Sequence, residues 1–90
     1  NMASGIYAVA NFGDIQLYVG TVEHLKTRWP KMMLKLEQGI FPDAAIQAEW
    51  QKHGRDRRFT FHTAAEINVE PQIRGRKLFF KDISKIPQSN

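Results

Sequence analysis

The chain has 90 residues, enough for one small domain, and at 42% hydrophobic and 24% charged it has the composition of a folded globular protein, not a disordered one. It contains no cysteine, which excludes disulfides and thiolate metal sites, and no apolar run approaches the roughly 20 residues that span a bilayer. The formal charge of +4 is unevenly spread: residues 1–20 hold only Asp14, while Arg55, Arg57 and Arg58 crowd one stretch and Arg74, Arg76, Lys77 and Lys81 another, which suits either a polyanionic partner or a solvated basic surface.

Asn1 before Met2 reads as a tag remnant, and no signal peptide is evident, so a cytoplasmic setting is expected. One domain is expected over residues 2–86, with 87–90 as a tail. Residues 5–10 alternate, with Ile6, Ala8 and Ala10 on one side and Tyr7 and Val9 on the other. Residues 15–19 alternate likewise, Ile15, Leu17 and Val19 opposing Gln16 and Tyr18. Asn11-Phe12-Gly13-Asp14 supplies a turn between them. A tight hairpin with Phe12-Gly13 at its tip would set Tyr7 directly across from Tyr18.

A helix is expected next, capped by Thr21 and carrying Val22, Leu25, Trp29, Met33 and Leu36 on one face up to Gly39. Pro30 demands a kink or a restart with the proline in the new first turn. A second helix runs from Pro42 or Asp43 to His53, burying Ile46 and Trp50, and stops at Gly54. Residues 57–63 read as a third strand with Phe59 and Phe61 on one side. Beyond Glu66, Pro71 and Gly75 interrupt the chain, and Leu78-Phe79-Phe80 suits a helix or a short strand equally. The expected class is α+β: a three-stranded antiparallel sheet flanked by helices, in the order β-β-α-α-β, followed by an undecided C-terminal element.

Within that order, Gly5-Ile6-Tyr7, Tyr18-Val19-Gly20, Leu25, Arg28-Trp29, residues 36–39 (LEQG), Ile46-Gln47 and Lys52-His53-Gly54 stand at a joint spacing that resembles the GIY-YIG nuclease family, most closely its homing-endonuclease branch. The resemblance covers residues 4–54 without a gap. It implies that Tyr7 helps to activate the attacking water, that Tyr18 hydrogen-bonds around the scissile phosphate, and that Arg28 steadies the phosphate with bidentate donors. A phenol is a poor base unless a neighbouring cation lowers its pKa. The resemblance also implies Mg²⁺ or Mn²⁺ on a carboxylate in any active member.

Two positions depart from the family pattern. Four residues after the arginine, where a histidine or tyrosine usually joins the proton transfers, stands Met32, which can neither donate nor accept a proton. Where the family carries its catalytic glutamate, residues 73–80 hold no acid. The nearest acids are Glu66, Glu70 and Asp82, none in register. His24, His53 and His62 form no recognised metal-ligand spacing, and Trp29 and Trp50 are expected in the core.

Three functions are therefore compatible with the residues. The first is a domain that binds nucleic-acid phosphates, DNA foremost, with weak or lost cleavage and no metal requirement. Its catalytic-type positions would be Tyr7, Tyr18 and Arg28, and its nucleic-acid contacts Lys26, Arg55, Arg57, Arg58, Arg74, Arg76 and Lys77. The second is an active metal-dependent endonuclease whose carboxylate is Glu66 or Glu70. The third is a protein–protein interaction module. In the first two, a partner protein could supply sequence specificity; no membrane association is expected.

Overall fold

In the computed structural model, which describes residues 5–85, the alternating runs form the expected strands. The expectations for Asn1, Met2, residue 86 and the 87–90 tail fall outside the described residues. Strands β1 (Tyr7–Phe12) and β2 (Ile15–Thr21) pair antiparallel around a two-residue turn, Gly13-Asp14, with Gly13 at φ 59° as the first position of such a turn requires. The tip thus lies one residue later than Phe12-Gly13. A bulge then shifts the ladder from Val9↔Tyr18 to Ala8↔Gly20, leaving Val19 as the extra residue. Tyr7 consequently faces Thr21, not Tyr18. The tyrosines still share a face, because moving the tip by one residue shifts the pairing by two. Their rings lie on a diagonal with centroids 6.4 Å apart.

The sheet has four strands, not three, in the order β3-β1-β2-β4, and it is mixed. Strand β3 (Arg58–His62) pairs antiparallel with β1, and β4 (Ile73–Arg74) pairs parallel with β2. Two residues carry too little periodicity to announce a strand, so β4 exists only because the edge of β2 receives it. The α+β class stands.

The helices are α1 (His24–Thr27), α2 (Trp29–Glu37), α3 (Ala44–His53), α4 (Ala64–Val69) and α5 (Arg76–Ser84). Pro30 sits in the first turn of α2, where its missing N–H costs nothing, so the chain restarts there. Thr21 is no helix cap: it ends β2, and its N–H donates to His24 Nδ1 at 2.9 Å. Asp43 caps α3 by accepting from the N–H groups of Ala45 and Ile46. Thr63 and Glu66 form a reciprocal capping box on α4, a short helix that is not among the expected elements. Residues 78–80 are helical, within α5.

Each sheet face is covered. Ala8, Ala10, Phe12, Leu17 and Val19 pack under α2 and α3 through Trp29, Leu36, Ile46 and Trp50. Phe12 and Trp29 both meet Trp50 edge-on, and Phe59 meets Trp29, with centroids 5.3–6.1 Å apart. Phe61, on the same side of β3 as Phe59, is left exposed. On the opposite face Tyr7, Val9 and Tyr18 pack with Ile67 of α4, Ile73 and Phe79 of α5. The Phe79 ring stands edge-on to both tyrosines, at 5.6 and 5.5 Å. No helix among the described residues is long and apolar enough to cross a membrane.

Candidate functional site

The bulge that displaces Val19 also aims its carbonyl away from the ladder, and this carbonyl accepts from Arg28 Nη1 at 2.8 Å. Arg28 stands at the break between α1 and α2, so its side chain reaches over the end of β2 toward the opposite layer. There it forks onto Asp82 of α5: Nη1 donates to Oδ2 at 2.9 Å and Nη2 to Oδ1 at 3.1 Å. Tyr18 Oη donates to the same Oδ2 at 2.7 Å. Three charge-assisted bonds converge on one carboxylate, and together they tie the two helical layers across the sheet. The Asp82 side chain is 9% exposed and that of Arg28 23%.

His24 completes the cluster. Its Nδ1 accepts from Thr21 N–H, while its Nε2 lies 3.4 Å from Arg28 Nη2. Gly20 makes this possible: it adopts φ 153°, and a Cβ there would run into the His24 ring.

The electrostatics keep the Tyr18 phenol protonated. Burial pushes the Tyr18 hydroxyl far above its ordinary value, and the hydrogen bond to Asp82 and that carboxylate's charge push it further, with Arg28 only partly opposing. Burial alone would raise Asp82, but the hydrogen bonds from Arg28 and Tyr18 outweigh it and hold the carboxyl below the usual carboxylate range. The bond to Asp82 likewise raises Arg28, against the effect of burial. As arranged, Tyr18 is a neutral donor, Asp82 an anion and Arg28 a cation whose fork is filled from inside the protein.

Of the residues singled out in the sequence, Tyr18 and Arg28 are brought together, and Tyr7 joins through ring packing while 2% exposed. Met32 is half-buried against the α2–α3 core. Glu66 and Glu70 are engaged elsewhere: Glu66 caps α4 and lies 3.6 Å from His62, and Glu70 accepts from the Gln72 N–H. The carboxylate beside Tyr18 and Arg28 is Asp82, whose sequence separations of 64 and 54 residues carry no local signal. His24 had a weak one, lying one helical turn before Arg28.

The basic candidates divide. Arg74 pairs with Asp43 at 3.3 Å, and Arg76 donates to the Ile67 and Asn68 carbonyls at the end of α4 while lying over Phe80. Arg57 stacks on Trp50 with its guanidinium carbon 5.5 Å from the ring centroid and donates to the Gly54 carbonyl. Lys26, Arg55, Arg58 and Lys77 are exposed. Among the described residues no group of three or more His, Asp or Glu side chains is placed to hold a metal ion.

No protein-family model matches the chain, and no solved structure matches it. A stretch of 53 residues is 34% identical to the intron-associated endonuclease 1 of Enterobacteria phage T4, covering 59% of this chain and 22% of that protein. The chain thus spans about a fifth of the length of the relative it matches.

Proposed function

We propose that this chain is a GIY-YIG-type domain that binds the phosphates of a nucleic acid, DNA foremost, and whose cleavage is weak or lost. One observation carries the reading: Arg28 and Tyr18, the groups that would grip a phosphate, close on Asp82. The Tyr18 hydroxyl already donates to Asp82 and so is not free for a phosphate, and Met32 offers no proton where a proton carrier would stand. The binding half of the proposal is supported by the likeness to a phage endonuclease and by the exposed cations Lys26, Arg55, Arg58 and Lys77. A divalent cation does not fit this donor set. It would have a single carboxylate with both oxygens already taken, beside a guanidinium that repels it.

A second reading, a working endonuclease, is favoured by the presence of Asp82 itself, a carboxylate beside the tyrosine and arginine. It requires Arg28 to leave Asp82 when substrate arrives. Supercoiled plasmid with Mg²⁺ or Mn²⁺, read beside salt-titrated duplex binding, separates the two. The proposal expects no nicking, and a log–log salt slope of about −3 or steeper for three or more phosphate contacts. Nicking that disappears in Arg28→Ala would establish the second reading. Binding that is absent, or insensitive to salt, would leave an interaction module instead.

A further inference from the structure

A cavity of about 310 Å³ opens where the two helical layers meet, beside the Arg28–Asp82 pair. Its floor is apolar: Met32 of α2, Phe41 and Pro42 of the α2–α3 connection, and Leu78 of α5. Its rim is cationic. Arg28, at the N-cap of α2, and Lys31 and Lys35 within it follow one another at i, i+3 and i+7, a row about 10 Å long. Arg28 turns its guanidinium onto Asp82, so the free charge of the rim is that of the exposed Lys31 and Lys35. The lining contains no acidic side chain, and among the described residues Lys31 and Lys35 make no ion pair.

Other parts of the molecule offer less. The cavity beside Trp50, Lys52, Arg55 and Arg57 also contains Glu37, which opposes an anion. The one beside Asp43 and Arg74 is lined by a pair that neutralises itself. The hollow beside Phe61 and Val69 has Glu66 and Glu70 on its wall and no cation that would name a partner.

An apolar slot edged by two lysines, unpaired among the described residues, suits a ligand that is flat and apolar at one end and anionic at the other. We propose that this cavity seats a single unstacked nucleobase of a nucleic-acid strand, with the strand's adjoining phosphates on Lys31 and Lys35. The proposal rests on the nucleic-acid reading above and adds to it a preference for unpaired over paired strand. A base still held in a duplex cannot enter a slot of this kind, whereas an unpaired base is free to swing in. Met32, mute in proton transfer, then has a use: its unbranched thioether chain adapts to a flat ring.

The test compares a short oligothymidylate with an abasic strand of equal length and phosphate number, by fluorescence anisotropy at one salt concentration. Charge is equal in the two, so the difference reports the base. The proposal expects the oligothymidylate to bind roughly tenfold tighter or more. Met32→Trp, which fills the cavity without changing charge, should remove that difference and leave binding of the abasic strand intact, with its melting curve confirming the fold. Lys35→Ala, at an exposed position, should weaken both strands alike. Equal affinity for the two strands in the native protein would overturn the pocket while leaving phosphate binding standing. A base preference that survives in a folded Met32→Trp protein would also overturn it. Absence of binding to either strand at low salt would overturn both readings. So would stronger competition by an acidic peptide than by the oligothymidylate, in favour of a protein partner.

Discussion

Removing the carboxylate of Asp82 should lower stability and raise the affinity for nucleic acid, and the opposite signs make the perturbation informative. Asp82 accepts three bonds, from Tyr18 Oη and both terminal nitrogens of Arg28. A fully buried ion pair broken on one side costs about 3–5 kcal/mol, whereas exposed pairs contribute at most about 1 kcal/mol. With Asp82 9% and Arg28 23% exposed, Asp82→Ala falls between these limits, at about 2–3 kcal/mol. For a chain of this size that is a fall in Tm of about 10–20 °C. Asp82→Asn keeps an acceptor for Tyr18 and should cost less. In both variants Arg28 is released to an external phosphate, so duplex binding should tighten and its salt slope steepen by about one contact. Urea unfolding of Arg28→Ala, Asp82→Ala and the double variant gives the coupling directly, expected at about 1–3 kcal/mol. A coupling near zero, or an Asp82→Asn protein that binds DNA no better than the native one, would refute the view that Asp82 occupies the phosphate-gripping groups.

The same network has a pH signature. Because the folded Asp82 lies below the ordinary carboxylate value, its contribution is fully present above about pH 4 and is lost as pH falls through its folded pKa, so Asp82→Asn should flatten the acid limb of a stability–pH curve. Tyr18 is raised instead, so its contribution is present below about pH 10 and declines at higher pH; Tyr18→Phe should remove that alkaline loss, as followed by circular dichroism. Gly20→Ala should destabilise by about 2 kcal/mol or more, since it places a side chain at φ 153° and against the His24 ring; a urea midpoint equal to the native one would show that the bulge relaxes freely.

Much of the architecture follows from patterns a few residues long. Alternation specifies β1 and β2, the three- and four-residue spacing of Trp29, Met33 and Leu36 specifies α2, and Asp43 with Gly54 brackets α3, because burial on one face imposes its period on the local sequence. Pro30 likewise announces its restart, since a proline acts on its own turn. The hairpin register was less legible: moving the turn by one residue and adding a bulge changes which residues face each other while leaving the inward and outward sides unchanged. Strand β4, two residues long, depends on a neighbour distant in the chain, whereas α4 carries a local start signal in its Thr63–Glu66 capping box. The deepest gap concerns the site. Tyr18 and Arg28 could be singled out from the sequence, but not the acid that meets them, because Asp82 arrives on α5 only after the chain has crossed the sheet and packed Phe79 against both tyrosines. Periodicity records which side of an element is buried. It does not record which charged group on a remote helix will stand opposite it, and in this protein that encounter closes the hydrogen-bond donors of Tyr18 and Arg28 onto Asp82.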